Sequence, residues 1–501
     1  MRDNTPADGS RAYSRREFMC RLAASMPSAI LIPYSVGSAA GPVLNLSDTD
    51  FLRDQARRIV ESARLAAGHT EGQWRNATPY TLHVPGGNMG YPAFWVRDAV
   101  MMLGGDFIPP AELEGWIRLM SAATQGPKDW HVRPGVVVPA YTVPDHIEFN
   151  GKPTFYPGTY DTGVKQGGHP FGKYPPLDDN FYFLKAVYEY WTMTHSLALF
   201  RSRVETSFGK MKLADLCEHV YKAVPADRST GLVTAGDVKR ENAKDWGFCD
   251  AEFKSGKLLF PSILKYAASM ELAELFRASG EAAKARKYQQ DAAQLKRSIS
   301  KVFFHSAETA GEGWLYSATG VGHQPDVWGG AFAVWSGAVE GRVARQVSRA
   351  LVTAFRERTS VNQGCVRQIL TNDPLNHGGW QSSIVKLGTY QNGGYWGTPS
   401  GWYIAAMNTV DHQAAVGMAR EYIRFLRDNR QLVGTADAWE WFNPYTGQHN
   451  NPLYVATVAL PYLSLKAAGL LDLSDQALPA GPGGSVYPPV ASGKRGMIQP
   501  F

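Results

Sequence analysis

Helical periodicity recurs along most of this 501-residue chain and limits the folds open to it. Apolar residues return about every three to four positions, as one buried face of a helix requires. The predicted helices cover residues 50–67, 94–103, 179–194, 197–223, 258–278, 281–304, 327–339, 343–358, 403–408, 413–429 and 454–468. Strand signals are scarce, and residues 135–140 carry the strongest. About twelve helices without a substantial sheet predict an all-α fold, a toroid of helical hairpins.

Connections of very different length separate these helices. Short turns lie near Ser196, Ser279 and Gly341, whereas the long connections are rich in glycine and aromatic residues. The long connections cover residues 126–176, 231–256, 361–398 and 434–452. In a toroid they come together on one face, where a pocket can form. A solenoid of stacked helix pairs is the alternative, but it requires a repeat of about 30 to 45 residues, and the sequence shows none.

The composition describes a globular protein able to bury a large core, with 44% hydrophobic and 19% charged residues. The net charge of +6 is spread along the chain without a long run of like charges, so we expect no nucleic-acid partner. Aromatic residues, at 12%, suit either a large core or stacking against sugar rings. Cysteine and histidine residues lack metal-ligand spacing. We therefore expect no metal and no cofactor, although an acidic loop is compatible with calcium.

The amino terminus carries an export signal rather than part of the fold. Arg15 and Arg16, followed by Phe18, match the twin-arginine pattern, and a modestly apolar stretch follows them. Because Pro27 interrupts that stretch, it is too broken to span a membrane, and we expect no membrane anchor. The expected organisation is a signal peptide over residues 1–40, a toroid over 41–472 and a Pro/Gly-rich tail over 473–501. The mature protein is then periplasmic or secreted, and its oligomeric state is left open.

Two short segments combine carboxylates with aromatic residues. One holds Asp245, Trp246 and Asp250, and the other holds Trp439 and Glu440. Cleavage of a glycosidic bond requires one carboxylic acid to protonate the leaving oxygen and a second carboxylate to activate water or attack the sugar. Aromatic neighbours supply stacking surfaces and a low dielectric that raises the pKa of an acid. The two segments are therefore candidates for the acid and the base of a glycosidase.

Five segments in chain order resemble motifs of the six-hairpin glycosidases, especially the glycogen-debranching amylo-α-1,6-glucosidase, glucoamylase and processing α-glucosidase branches. The segments are residues 90–99, 178–183, 246–257, 395–402 and 440–447. The resemblance implies an (α/α)6 toroid, with the general acid between helices five and six and the general base between helices eleven and twelve. It also implies inversion at the anomeric carbon, for which the two carboxyl groups stand about 6.5 to 9.5 Å apart. Residues 128–176 have no counterpart in the debranching branch and form a candidate wall of the pocket.

The resemblance assigns the general acid to Asp250 and the general base to Glu440. Asp245 is the alternative acid, or a group that caps a turn or orients Asp250. Asp237 and Glu252 are further candidates for the acid. Glu440 has an alternative of its own, a structural pair with an arginine across its loop.

Sugar binding is predicted for polar residues at the starts of two inner helices. The resemblance implies that Arg97 and Asp98 bind adjacent sugar hydroxyls, and a structural ion pair is the alternative. Asp179, together with Asp178, either accepts a hydrogen bond from a sugar or caps the helix that begins there.

Five tryptophans are candidate stacking platforms for a sugar. Trp95, Trp396 and Trp402 suit a platform or the core equally well. Trp246 and Trp439 flank the candidate acids and complete the set.

Three functions fit the sequence. The first is an exported glycoside hydrolase that cleaves an α-glucoside-type oligosaccharide by an inverting two-carboxylate mechanism. The second is the same toroid acting as a polysaccharide lyase or a sugar epimerase, with His or Tyr as acid and base. The third is a non-catalytic carbohydrate-binding protein. A carbohydrate is the expected partner in each case.

Overall fold

The structure is a computed structural model, and it describes most of the chain between residues 41 and 474. The described residues are 41–87, 89–133, 136–155, 175–236, 249, 251–371, 378–429 and 438–474. The predicted signal peptide and all but the first two residues of the predicted tail lie outside them. Within the described residues, helices dominate and strands are short.

The helices alternate between an outer and an inner layer. In chain order they are α1 (Leu46–Ser62), α2 (Val96–Met101), α3 (Pro110–Ala123), α4 (Asp179–Thr194), α5 (Ala198–Arg201), α6 (Leu213–Ala223), α7 (Leu259–Ala278), α8 (Ala282–Phe303), α9 (Val327–Trp335), α10 (Gly341–Arg356), α11 (Ser400–Asn408), α12 (His412–Asp428) and α13 (Ala456–Ala467). The inner helices α2, α4, α7, α9, α11 and α13 each pack against the next, and α13 packs against α2. The inner layer is therefore a closed ring, and the predicted (α/α)6 toroid is confirmed.

The strands form small antiparallel ribbons on the connections. In chain order they are β1 (Arg64–Leu65), β2 (Thr70–Glu71), β3 (Trp74–Arg75), β4 (Leu82–His83), β5 (Phe94–Trp95), β6 (Trp130–Arg133), β7 (Val136–Val138), β8 (His146–Ile147), β9 (Pro153–Thr154), β10 (Arg203–Thr206), β11 (Gly209–Lys212), β12 (Thr234–Gly236), β13 (Gly256–Lys257), β14 (Phe304–Ser306), β15 (Gly313–Leu315), β16 (Val361–Asn362), β17 (Cys365–Val366), β18 (Trp441–Phe442) and β19 (His449–Asn450). β5, β8 and β9 form one three-stranded sheet, and the remaining strands pair two by two.

Burial distinguishes the two layers of helices. Every residue of α2, α9 and α11 is buried, as expected for helices surrounded by others. The outer helix α10 is amphipathic, with Val347, Leu351 and Phe355 buried at helical spacing while its arginines face outward. Side-chain caps begin several helices: Asp326 accepts a hydrogen bond from the backbone of Gly329 at 2.7 Å, at the start of α9.

Helix prediction succeeded where periodicity was long and failed where a turn interrupted it. The predicted helix 179–194 has the observed bounds of α4. The single helix predicted over 197–223 is wrong, because the hairpin of β10 and β11 separates α5 from α6, and Gly209 adopts a φ of +114° at its turn. Helix α3 was not predicted, although Pro110 begins it and Leu113, Trp116 and Ile117 are buried on one side.

Each inner helix is entered from a long connection and left by a shorter one. Outer helices lead into inner helices through residues 63–95, 124–178, 224–258, 304–326, 357–399 and 429–455. All six inner helices therefore point the same way, and their amino-terminal ends share one face with the long connections. No helix in the described part of the chain is both long and apolar enough to cross a bilayer. Nor do the described residues bring together three or more side chains suited to holding a metal ion.

Candidate active site

Glu440 lies on the long connection between α12 and α13, just before β18, and is only 2% exposed. Its backbone N–H donates to the carbonyl oxygens of Asn450 and Asn451, each at 3.1 Å. The Tyr91 hydroxyl lies 3.0 Å from Oε2 and 3.2 Å from Oε1 of the carboxylate. The side-chain amide of Asn450 donates weakly to Oε2 at 3.4 Å. These neighbours fix the orientation of the Glu440 carboxylate beneath the long-connection face.

Tyr91 reaches Glu440 from a backbone conformation that few side chains adopt. Its φ is +56°, in the left-handed region, and Met89 two residues earlier has a φ of +65°. Strained backbone of this kind persists where the surrounding structure holds it, often at functional sites. The short connection from Gly86 to Gly90 closes on itself by a backbone hydrogen bond.

Asp98 is linked to the same cluster through Tyr454. The Tyr454 hydroxyl donates to Oδ1 of Asp98, which joins the start of α2 to the residues that enter α13. Burial raises the pKa of Tyr454 well above its usual range, and the negative charges of Asp98 and Glu440 raise it further. Tyr454 is therefore a neutral hydrogen-bond donor that lies near both carboxylates.

Arg97 pairs with Asp178 rather than with its neighbour Asp98. Its Nε lies 2.8 Å from Oδ2 and its Nη2 lies 3.1 Å from Oδ1, a bidentate pair between α2 and the residue that precedes α4. Asp178 is fully buried and makes no side-chain capping bond to α4. The proposed N-cap role of Asp178 is therefore wrong, because its carboxylate is turned toward Arg97.

Asp179 is fully buried behind this pair. Neither carboxylate oxygen accepts a hydrogen bond from any described residue. Burial raises the pKa of Asp179 well above its usual range, and the adjacent charge of Asp178 raises it further, against the opposing effect of Arg97. Asp179 is thus enclosed by the described residues, with a pKa well above the ordinary value of a carboxylic acid.

The candidate platforms fall into an accessible set and an enclosed set. Trp95 is half-buried and stacks on His146, with ring centroids 4.3 Å apart, and Trp439 stacks on His449 at 3.7 Å. Trp396 and Trp402 are only 1% and 4% exposed. They therefore belong to the core. Trp246 lies outside the described residues.

The candidate acids Asp250, Asp245 and Asp237 also lie outside the described residues, but both neighbours of Asp250 are placed. Cys249 and Ala251 are buried, and the Ala251 N–H donates to the side-chain oxygen of Gln391 at 2.9 Å.

The loop that holds Gln391 continues to Tyr395, whose backbone pairs with Phe442 in both directions, at 2.8 and 3.0 Å. One loop thus connects the neighbours of Asp250 to the strand that follows Glu440. Glu252, the remaining candidate acid, is fully buried and accepts a hydrogen bond from Ser383 at 2.8 Å.

Several site residues were missed by sequence reasoning. Tyr91 and Tyr454 were not singled out, because a tyrosine next to a glycine or a leucine carries no signal of its long-range partner. His146 lies in the segment 128–176, which the sequence predicted only as a candidate wall of the pocket, with no role for this residue. It is fully buried, its Nδ1 lies 2.8 Å from Oδ2 of Asp145, and its ring supports Trp95.

No protein-family model matches the sequence, and no curated protein matches it. Solved structures do match. The glucoamylase of Saccharomycopsis fibuligera aligns with a TM-score of 0.52 at 12% identity, over 87% of this chain and 98% of that one. This chain has the six-hairpin glycosidase fold. The glucoamylase of Hormoconis resinae aligns with the same TM-score of 0.52 and 12% identity, over 84% of this chain and 73% of that one. At such identities the likeness establishes the fold, and the chemistry has to be argued from the site.

Proposed function

We propose that this protein is an exported glycoside hydrolase that cleaves α-glucoside-type bonds with inversion of the anomeric carbon. The observation that carries the proposal is the Glu440 carboxylate, buried on the long-connection face of a six-hairpin toroid and held by the Tyr91 hydroxyl. A carboxylate that is oriented and largely shielded from bulk water suits the deprotonation of one bound water molecule.

In this mechanism Glu440 removes a proton from water as the water attacks the anomeric carbon. The hydroxyl of Tyr91 stabilises the carboxylate and limits its rotation. The neighbouring pair of Tyr454 and Asp98 presents further polar groups on the same face. Arg97, held by Asp178, places a fixed positive charge beneath them.

The leaving oxygen is protonated by a second carboxylic acid, which we assign to Asp250 with Asp245 as the alternative. Two observations on described residues support the choice of this segment. Ala251 is hydrogen-bonded to the loop that pairs with the strand after Glu440. Glu252 is fully buried and already bonded to Ser383, so it is a poor proton donor to a substrate.

Half-buried aromatic rings supply the sugar-stacking surface in this proposal. Trp95 and Trp439 retain exposed area next to the acidic residues, and each is stiffened by a stacked histidine. Flat rings of this kind contact the apolar faces of pyranose sugars.

The test is a screen of aryl glycosides and oligosaccharides, with the product anomer followed by NMR. We expect an inverted product, loss of about three orders of magnitude in kcat for Glu440→Gln, and a similar loss for Asp250→Asn. Retained configuration would contradict inversion. Full activity of Asp250→Asn together with an inactive Asp245→Asn would assign the role of general acid to Asp245 instead.

The same variants distinguish the other chemistries. A lyase or an epimerase would keep substantial activity in Glu440→Gln, and a lyase would release an unsaturated sugar that absorbs in the ultraviolet. A non-catalytic protein would bind oligosaccharides without turnover.

Export is proposed from the twin-arginine motif. Replacing Arg15 and Arg16 together by lysine should retain the protein in the cytoplasm of the producing cell. Arg21→Lys, outside the motif, is the matched control and should leave export unchanged. Equal export of the wild type, the double lysine variant and Arg21→Lys would overturn this part of the proposal.

A further inference from the structure

A cavity of about 470 Å³ lies on the face of the ring away from the long connections. Most of its lining residues lie in the middle or carboxyl-terminal parts of the inner helices, such as Met101 of α2, Trp335 of α9 and Ala467 of α13. Phe181 of α4 and Trp402 of α11, in the first turns of their helices, line its deeper part. The ring is not filled here because α2 has only six residues and α9 only nine, whereas α7 has twenty. The cavity is large enough for a small organic ligand.

The wall of this cavity is largely apolar and aromatic. Phe332 and Trp402 lie with ring centroids 4.6 Å apart, and Trp335 lies 6.2 Å from Trp402. Leu264 and Leu460 add aliphatic surface. Such a surface favours a ligand with an apolar body, and aromatic faces also attract cations.

Among the described residues, five charged side chains line the cavity: Asp106, Lys185, Glu189, Glu271 and Lys466. Lys466 pairs with Asp106, and Lys185 donates to Glu189 at 2.7 Å. Glu271 of α7 is only 2% exposed and accepts no hydrogen bond from the described part of the chain. The lining therefore carries one uncompensated negative charge whenever Glu271 is ionised.

We propose that this cavity binds a monovalent organic cation with an apolar body, an alkylamine or arylalkylamine, whose ammonium group pairs with Glu271 while its body packs against Phe332 and Trp402. A buried carboxylate without a partner is costly, and an ammonium group would satisfy it. The aromatic wall adds a cation–π contribution that a neutral ligand would lack. The proposal concerns the opposite end of the ring from Glu440 and does not depend on glycosidase activity.

The protonation of Glu271 makes the binding dependent on pH. Burial raises the pKa of Glu271 to about 7, Lys185 opposes the rise, and the negative charges of Glu189 and Glu274 add to it. The other charged side chains of the lining, Asp106 and Lys466, neutralise each other. Because the ammonium group requires the ionised carboxylate, affinity for an amine should fall about tenfold for each pH unit below 7.

The experiment compares 4-phenylbutylamine with its neutral analogue 4-phenylbutan-1-ol, by isothermal titration calorimetry on the full chain at pH 8. We expect the amine to bind at least about tenfold more tightly than the alcohol. Glu271→Gln should remove that preference. Glu274→Gln is the matched control on the same helix, because Glu274 bonds to Tyr188 and does not line the cavity. Equal affinities for amine and alcohol in the wild type would overturn the proposal.

A second variant locates the bound ligand. Ala267 lines the cavity one helical turn before Glu271, so Ala267→Phe should fill the space and abolish binding of both ligands. Circular dichroism and the unfolding midpoint would confirm that the variant is folded. Amine binding that survives in folded Ala267→Phe, or a preference for the amine over the alcohol that survives in folded Glu271→Gln, would place the ligand elsewhere and contradict the assignment.

Discussion

The phenolic hydroxyl of Tyr91 lies 3.0 Å from Oε2 of Glu440, although the two residues are 349 positions apart in the chain. The contact joins the connection that precedes the first inner helix to the connection that precedes the last, and α2 and α13 are neighbours in the ring. Closure of the toroid therefore assembles the environment of the proposed base.

Tyr91→Phe should reduce kcat about tenfold, because it removes one hydrogen bond to the proposed base without changing the ring. The measurement is steady-state kinetics on the substrate found by the screen. Tyr190→Phe is the matched control. The Tyr190 hydroxyl on α4 also donates to a glutamate, Glu114 on α3, at 2.9 Å, but this hydrogen bond joins α3 to α4 and does not involve Glu440. A similar loss of kcat in both variants would show that the effect is not specific to the site.

Arg97→Met should destabilise the protein by about 3 to 5 kcal/mol at pH 7.5, because it leaves the buried Asp178 without its cation. The difference in the free energy of unfolding between Arg97→Met and the wild type should become smaller as the pH is lowered to 5. Burial raises the pKa of Asp178 and of Asp179, so both can take up protons and lose their charge as the pH falls. Urea unfolding at both pH values provides the measurement.

Arg58→Met serves as the control for Arg97→Met. The Arg58 side chain is 58% exposed and pairs with Asp54 on the same helix, so its loss should cost less than about 0.5 kcal/mol at either pH. A pH-independent loss in Arg97→Met would contradict the electrostatic explanation.

Trp95→Ala and Trp396→Ala should differ in what they damage. Trp95 is half-buried beside the site, so its removal should raise KM about tenfold through lost stacking. Trp396 is 1% exposed and packs edge-on against Trp328, so its removal should cost about 3 to 5 kcal/mol in the free energy of unfolding. An unchanged KM in Trp95→Ala would exclude this ring as a platform.

Glu271→Gln should stabilise the protein at pH 8 and not at pH 4. In the folded protein burial raises the pKa of Glu271 to about 7, whereas an unfolded glutamate titrates near 4.3. Burial of Glu271 therefore costs the wild type no stability below about pH 4.3. The cost grows as the pH rises and is complete once the pH has passed 7. Glutamine carries no charge, so the gain at pH 8 should be on the order of 3 kcal/mol.

Chemical unfolding in urea at pH 4 and pH 8 checks this prediction. Glu61→Gln is the control, because its side chain is 71% exposed and should give no gain at either pH. A gain of equal size at both pH values would point to packing rather than to charge.

Much of the architecture was predictable because helical periodicity is a local property. The bounds of α4 were predicted at both ends, and α7 and α8 were predicted to within a residue. The turns between helices were predicted less well than the helices themselves. The hairpin that separates α5 from α6 depends on a few residues such as Gly209, and the apolar pattern runs through it.

The site was only partly predictable, because its partners are distant in sequence. Arg97 and Asp98 were expected to act as a pair, yet Arg97 bonds to Asp178 and Asp98 bonds to Tyr454. Adjacent residues on a helix point in directions about 100° apart, so neighbours in sequence readily face different partners.

The sequence by itself determined the all-α class, the alternation of long and short connections, and the acids and aromatic rings available to the site, because periodicity and composition act locally. Only the tertiary structure decided which of them meet. Ring closure brings Tyr91 to Glu440, encloses Trp396, Trp402 and Asp179, and leaves a cavity where short inner helices fail to fill the ring. These outcomes depend on packing between helices far apart in the chain, and no local pattern carries that information.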